Sequence, residues 1–356
     1  MRRTSLAPSL CYIRSVALGG KRELVARTLF WTGAASLLGH FPARDSLLVL
    51  NYHRIGNPDE DPFDPGVFSA SGDQLSEQVS YLQRHASLVT LEEALAFVDG
   101  TLKEKTRRCR VLITFDDGYL DNYQLAFPIL RSHGAQGVFF LATSLVGSCA
   151  VPWWDRIAFA IKTARRRRFS LHYPAELAVD LDANGVAKSL RDVLSLYKEP
   201  GNADPERFLR ELEEVAEGDN IAGTLRRFLN WGEAREMIAG GMAIGSHTHS
   251  HTVLAQLGPE QQRNDLAQSR ALLKEHLGIQ ADALAYPIGA RNSFSDQTQQ
   301  FARESGYRAA FSFHGGTNLA GMAQPYDIKR VGVGGQSRRR FQAQAAVCRC
   351  TGSHWP

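Results

Sequence analysis

The stretch Val111-Leu-Ile-Thr-Phe-Asp-Asp-Gly-Tyr119 decides the fold. Five residues from Val111 to Phe115 form an uninterrupted run with apolar side chains at four positions, the length of a buried strand. Two adjacent carboxylates, Asp116 and Asp117, end the run, and Gly118 follows. Acids at the C-terminal end of a buried strand, ahead of a glycine and a helical stretch, fit the rim of a parallel α/β barrel or sheet. In such folds the chemistry sits on that rim. The plainer reading is a turn, since Asp and Gly are the commonest turn residues.

The chain around this stretch has the rhythm of alternating strands and helices. Ser46 to His53 reads as a first buried strand, and Ser87 to Thr90 as a short one. Ser71 caps a helix running to Gln83. Thr90 caps another, Leu91 to Val98, with Glu93 completing a capping box. After Val111–Phe115 come a helix from Asn122 to His133, with Gly134 at its C-terminal end, and a strand from Gly137 to Ala142. Strand, helix and strand at this spacing make a parallel βαβ unit.

From about residue 151 to 230 the rhythm lapses into a charged, largely helical insertion that opens with Pro152-Trp-Trp-Asp155. Adjacent tryptophans are most often packing residues, though aromatic platforms also stack on sugar rings. The rhythm resumes with a helix from Trp231 to Ala239 and a strand from Met242 to Gly245. A helix from Gln261 to Leu277, a strand from Ala283 to Tyr286 and a helix from Asp296 to Ser305 follow. Strands at Ala309–Phe313 and Ile328–Val333 complete seven or eight in all. The expected organisation is an N-terminal helical extension over residues 1–45, a barrel over 46–336 that contains the insertion, and a basic tail over 337–356.

The 356 residues can bury a full core, and 44% hydrophobic with 22% charged residues is a globular composition. A net charge of +4 is weak at this length and argues against nucleic acid. The basic residues cluster as Arg165–Arg168 and Arg338–Arg340, which read as solvated faces, with an anionic membrane or polymer as the sharper alternative. Five cysteines do not form a disulfide framework, and Cys348-Arg-Cys350 has no partner pair at zinc-finger spacing. Arg14 interrupts what Arg2 and Arg3 would begin as a signal peptide, so no clear export signal is expected. Thr28 to Phe41 is too short to span a bilayer, which takes about 20 apolar residues. It reads as an amphipathic helix packed on the domain; a peripheral membrane contact is the sharper reading. The expected location is the cytoplasm or the inner face of a membrane.

Three histidines stand in Ser246-His-Thr-His-Ser-His251. His247 and His251 are four apart, and on a helical turn they would share a face and could bind one ion. This cluster ends a strand, as the Asp pair does, so both face one rim. One carboxylate and two imidazoles can hold a first-row metal. One Asp would ligate. Its neighbour, whose side chain diverges, would be free to act as a base on a metal-bound water, whose pKa falls towards about 7. The implied reaction is hydrolysis of an amide or ester.

Thr114-Phe-Asp-Asp-Gly118 together with His247-Thr-His-Ser-His251 resembles the polysaccharide deacetylase family (NodB homology, carbohydrate esterase 4), from about Leu47 to Val333. The resemblance implies a distorted (β/α)7 barrel and a metal-dependent deacetylase. By position it implies that Asp116 is the catalytic base and that Asp117, His247 and His251 are the metal ligands. His249 matches no ligand position. The family's Arg-Pro-Pro-Tyr-Gly segment corresponds to Ala285-Tyr-Pro-Ile-Gly289. The backbone N–H of Ile288 would be the oxyanion donor. Ala285 stands where the family has the Arg that holds the base, and Arg330 on the last strand is the candidate replacement. The late Leu-x-His motif is missing near Ile328–Val331, which leaves His314 and His53 as strand-end candidates for the general acid.

Zn2+ suits such a site, and Co2+, Ni2+ or Fe2+ would also fit. The implied substrate is an N-acetylated oligo- or polysaccharide or a sugar precursor. The Tyr52-His-Arg-Ile55 start and the Trp-Trp-Asp insertion are similar to a bacterial subgroup associated with surface polysaccharide synthesis. Two other readings stand beside this one: a non-catalytic carbohydrate-binding barrel that kept its metal site, and an amide hydrolase on a non-sugar substrate.

Overall fold

The computed structural model describes residues 45–104, 106, 108–199, 201–219, 226–335, 338–342 and 345. The expected N-terminal helical extension, the membrane contact through it, Cys348-Arg-Cys350 and most of the basic tail lie outside the described residues. No described helix is long and apolar enough to cross a membrane.

Seven parallel strands carry the architecture. Along the chain the strands are β1 (Ser46–Tyr52), β2 (Arg54–Ile55), β3 (Phe68–Ala70), β4 (Ser87–Leu88), β5 (Arg110–Phe115) and β6 (Gly137–Leu141). They continue with β7 (Arg168–Leu171), β8 (Leu177–Asp180), β9 (Ala243–Ser246), β10 (Ala283–Ala285), β11 (Ala309–Phe311), β12 (Asn318–Leu319) and β13 (Arg330–Gly332). The central sheet runs β11-β10-β9-β6-β5-β1, and β13 pairs in parallel with β1. A parallel bridge from Phe311 to Ile328, just ahead of β13, joins the last segment to the other edge. The sheet thus curls into the distorted seven-stranded barrel that the resemblance implied. The distortion lies in its short late strands: β9 and β10 share one paired position, Ser246 with Leu284. β12 is antiparallel to β1 and lies off the barrel path.

Every residue of β1, β5 and β6 is buried. That is why these strands read as continuous apolar runs, since a parallel barrel strand has a core on both faces. Alternate residues divide between two cores. Leu47, Val49, Leu112, Val138, Phe140, Ala285 and Phe311 form an interior cluster. Leu48, Leu50, Val111, Ile113, Phe139 and Leu284 face the surrounding helices. The helices Gly72–His85 and Leu91–Val98 start at the capping boxes Ser71/Gln74 and Thr90/Glu93.

The single helix expected from Asn122 to His133 is instead two segments. Asn122–Ala126 is one π turn, closed by the Phe127 N–H on the Asn122 carbonyl, and Phe127–Ser132 is α-helical. Pro128 has no N–H to return to residue 124, so the regular ladder breaks there.

Between β6 and β9 the chain builds a second core and is not purely helical. The helices Trp153–Thr163, Val186–Tyr197 and Pro205–Ala216 enclose Ile157, Ile161, Val193, Phe208 and Leu212, and β7 and β8 form an antiparallel hairpin beside them. Tyr119 and Leu145 of the barrel belong to the same cluster, as does Phe228 near the end of this stretch. Arg165, Arg166, Arg167 and Arg168 each meet a carboxylate, of Asp219, Glu217, Asp182 and Asp180 respectively. Exposed pairs contribute at most about 1 kcal/mol each. They do neutralise the run, which is a solvated face and not a free cationic patch.

Candidate metal and catalytic site

Asp116 and Asp117 follow directly on β5, at the C-terminal rim. Asp117 adopts a left-handed backbone (φ 74°) and so does Gly118 (φ 79°). A Cβ at Gly118 would lie 2.7 Å from Leu141 Cδ2, so this tight turn has no room for a side chain. The turn throws the two carboxylates apart: Asp116 faces Arg330, and Asp117 faces the histidine loop.

That loop is not the helical turn that the spacing suggested. The stretch from His247 to Val253 has no helix, and Thr248 (φ 66°) and His251 (φ 55°) are left-handed. His247 and His251 meet because the loop doubles back. Hydrogen bonds hold it there. The Thr143 and Ser144 N–H groups donate to the Thr248 and His249 carbonyls at 3.1 and 3.0 Å. Asp265 accepts from the N–H groups of His249 and Ser250. His249 itself turns to the Thr143 hydroxyl, 3.0 Å away, and serves the loop.

Asp117, His247 and His251 are all buried, and each offers a ligand atom within 4.8 Å of the others. The Nε2 atoms of His247 and His251 lie 3.4 and 3.1 Å from Asp117 Oδ1. The His247 Nδ1–H donates to the Ala285 carbonyl at 2.8 Å, which fixes the tautomer and leaves the Nε2 lone pair for the site. Asp117 Oδ1 is buried yet has no well-formed hydrogen bond among the described residues. Three ligand atoms within 4.8 Å of one another fit a divalent cation, and the two-His, one-carboxylate set suits a first-row metal.

Asp116 is held beside this cluster. It accepts from Arg330 Nη1 at 2.7 Å and Asn51 Nδ2 at 3.0 Å. Asn51 Oδ1 in turn accepts from Arg330 Nη1 and the Thr114 hydroxyl. His247 Nε2 is 3.8 Å away and His53 Nε2 4.0 Å. Burial would raise the Asp116 carboxyl, but the charges of Arg330, His247 and His53 outweigh it and hold the group below its ordinary range. Asp117 is depressed further, against its own burial, by the two imidazoles that close on it. The imidazoles move in opposite directions. Burial lowers both, but the two aspartates carry His247 upwards, whereas burial dominates at His251.

The other sequence candidates separate. Arg330 is buried in the site. His53 lies at its open side, with about a quarter of its side chain exposed. His314 is engaged elsewhere, its Nε2 2.8 Å from Asp327. Ile288 is left-handed (φ 63°), and among the described residues nothing accepts from its N–H. Trp153 and Trp154 are buried, so they are packing residues and not a sugar platform.

Sequence reasoning missed Asn51 and Tyr119. A polar Asn near the end of an otherwise apolar buried strand was the available signal for the first. For Tyr119, whose hydroxyl accepts from Trp154 Nε1 at 2.6 Å, the partners are too far apart in sequence to have been paired.

A family model described as "Polysaccharide deacetylase" matches residues 103–310. The chain is 24% identical over 242 residues to the "Putative polysaccharide deacetylase YxkH" of Bacillus subtilis, covering 68% of this chain and 57% of that protein. It is 29% identical over 117 residues to the "Poly-beta-1,6-N-acetyl-D-glucosamine N-deacetylase" of Staphylococcus epidermidis, covering 30% of this chain and 39% of that one. The chain therefore spans little more than half the length of the first and less of the second. Two solved structures share the fold. One is the Streptococcus pyogenes deacetylase PplD in complex with acetate (TM-score 0.54, 19% identity, 85% of this chain and 99% of that one). The other is IcaB from Ammonifex degensii (TM-score 0.53, 22% identity, 85% and 97%).

Proposed function

The chain belongs to the polysaccharide deacetylase family, and from that premise we propose that it is a metal-dependent hydrolase that removes N-acetyl groups from a polysaccharide or sugar precursor. The single observation that carries this reading is the division of labour between neighbours. Asp117 faces two imidazoles, while Asp116, buried beside them, faces Arg330 and Asn51 instead.

Asp117, His247 and His251 would hold the divalent cation, with Zn2+ the proposed ion and Co2+, Ni2+ and Fe2+ alternatives. When bound, such an ion acidifies a water and polarises the acetyl carbonyl. Asp116 takes the proton of the attacking water. Its charge is maintained by Arg330, and its acceptor oxygens are fixed by Arg330 and Asn51. The Ile288 N–H, held in a left-handed turn, donates to the oxyanion. His53, partly exposed and 4.0 Å from Asp116, gives a proton to the leaving amine. The new C–O bond forms first, placing the carbonyl electron pair on the oxyanion; its collapse breaks the C–N bond as the amine takes its proton, and acetate and a free amine leave. The name of the Staphylococcus epidermidis relative supports an N-acetylglucosamine polymer as the substrate class.

The test is acetate release by the full chain, loaded with Zn2+ or Co2+, from β-1,6- and β-1,4-linked N-acetylglucosamine oligomers. Asp116→Asn should lower the rate by about 10²- to 10⁴-fold and leave Co2+ affinity unchanged. If wild type and variant bind the oligomers alike and neither releases acetate, the barrel is a carbohydrate-binding module.

A further inference from the structure

The two imidazoles of the histidine loop are held in different ways. His247 is oriented by its Nδ1–H bond to the Ala285 carbonyl. His251 Nδ1 is buried and has no hydrogen-bond partner among the described residues. Among the described residues no hydrogen bond away from the cluster sets the rotation of the His251 ring, and its backbone is in the strained left-handed region, which persists only where the surroundings enforce it.

Those surroundings come from the insertion. The Trp154 ring lies 4.5 Å from the His251 ring, centroid to centroid, at an interplanar angle of 56°. Trp153 packs edge-on to Trp154 at 5.2 Å, stacks on Tyr197 at 4.2 Å, and donates its Nε1–H to the His251 carbonyl at 3.4 Å. Trp154 is itself tied down. Its Nε1–H donates to the Tyr119 hydroxyl at 2.6 Å, and the Tyr119 hydroxyl approaches Asp155 Oδ2 at 3.4 Å. Asp155 is fully buried and also meets Arg227 Nη2 at 3.2 Å. A chain of contacts thus runs from Arg227 through Asp155, Tyr119 and Trp154 to the His251 ring.

We propose that Trp154, seated by Tyr119 and Asp155, is a positioning residue for His251, doing by ring packing what the Ala285 carbonyl does for His247. The insertion would then set the metal affinity of the barrel. This rests on the reading of Asp117, His247 and His251 as the metal ligands. Outer partners of metal-binding histidines typically govern affinity by about 10- to 100-fold.

The test uses the metal alone, as Co2+ titrated into the apo full-length chain and followed by its visible absorption. Trp154→Leu and Trp154→Phe both lose the indole N–H, but only Phe keeps a ring against His251. Trp154→Leu should weaken Co2+ binding by about tenfold or more, and Trp154→Phe should recover most of that loss. Thermal unfolding of the two apo variants serves as the folding control. If both are folded and bind Co2+ equally, the proposal is overturned.

Tyr119→Phe keeps every ring and removes only the hydroxyl that seats Trp154. Should the Trp154 variants fail to fold, this one decides. It should shift the His251 ring-proton resonances of the Co2+ protein and weaken binding several-fold; unchanged spectra and affinity would overturn the proposal. Asp117→Asn separates the premise from the inference. If that variant still binds Co2+ as wild type does, the ligand assignment fails, whatever Trp154 does.

Discussion

At the scale of single residues, the arrangement around Asp116 makes Arg330 hard to replace. Arg330 is fully buried and serves three acceptors: Asp116 Oδ1, Asn51 Oδ1 and the Ser312 carbonyl. Its guanidinium spreads donors across a plane, which a lysine ammonium cannot do. Arg330→Met should leave a buried carboxylate without its partner, at a cost of about 3–5 kcal/mol in unfolding free energy. Arg330→Lys should restore part of that stability but little of kcat, because the charge returns without the geometry. Denaturant unfolding and acetate release measured on both variants would check this; a lysine variant with full kcat would refute an orienting role. Arg330 stood out as a candidate because Ala285 occupies the position of the family's base-holding Arg and Arg330 lies on the last strand. Asn51 showed only as a polar residue in an apolar strand; its support of Asp116 and Arg330 leaves no pattern in local spacing. The two histidines were legible as a pair for a reason that did not hold. They meet through left-handed residues at 248 and 251 and not through helical periodicity, and a β-branched Thr at the first of these gives no signal of such a loop.

At the scale of elements, a break in the strand rhythm after β6 was readable, but what the chain builds there was not. Its β7–β8 hairpin lies on the surface of an otherwise helical segment, and its contacts with the barrel join residues far apart in the chain. Asp155 shows the consequence. Burial pushes its carboxyl up to about 7, with Arg227 only partly opposing. In the unfolded chain an Asp titrates near 3.9. Between those values the native state keeps a proton that the unfolded state has released. The contribution of Asp155 to stability therefore falls as pH rises through this window, by about 1.4 kcal/mol per unit and on the order of 4 kcal/mol as an upper bound. Below about pH 4 and above about pH 7 the contribution is flat. Asp155→Asn cannot titrate. Unfolding free energies measured from pH 4 to 7 should show wild type losing ground to Asp155→Asn as pH rises, and parallel curves would mean that Asp155 is ionised throughout.

At the scale of the whole molecule, the barrel was legible because its early strands are apolar on both faces. Its closure was not, since it depends on one bridge from Phe311 to Ile328 and on a three-residue β13. This closure bears on the site, because Arg330 lies on β13, Asn51 on β1, the aspartates follow β5 and the histidine loop follows β9. A cation bound by Asp117, His247 and His251 would therefore tie the β5 and β9 rims together, and only in the folded chain are its ligands gathered. Binding confined to the native state stabilises it by mass action: free metal at about 100 times its dissociation constant contributes about 2.7 kcal/mol. For domains of 150–250 residues each kcal/mol moves the unfolding midpoint by roughly 2–4 °C, so a rise of several degrees is expected on adding Zn2+ or Co2+ to chelator-treated protein. Asp117→Asn should abolish that rise. Asp116→Asn should preserve most of it, because Asp116 is held by Arg330 and Asn51 and is not one of the three gathered ligand residues. A midpoint indifferent to metal in the wild-type chain would remove the ion from the site, and with it the hydrolytic reading of the neighbouring carboxylate.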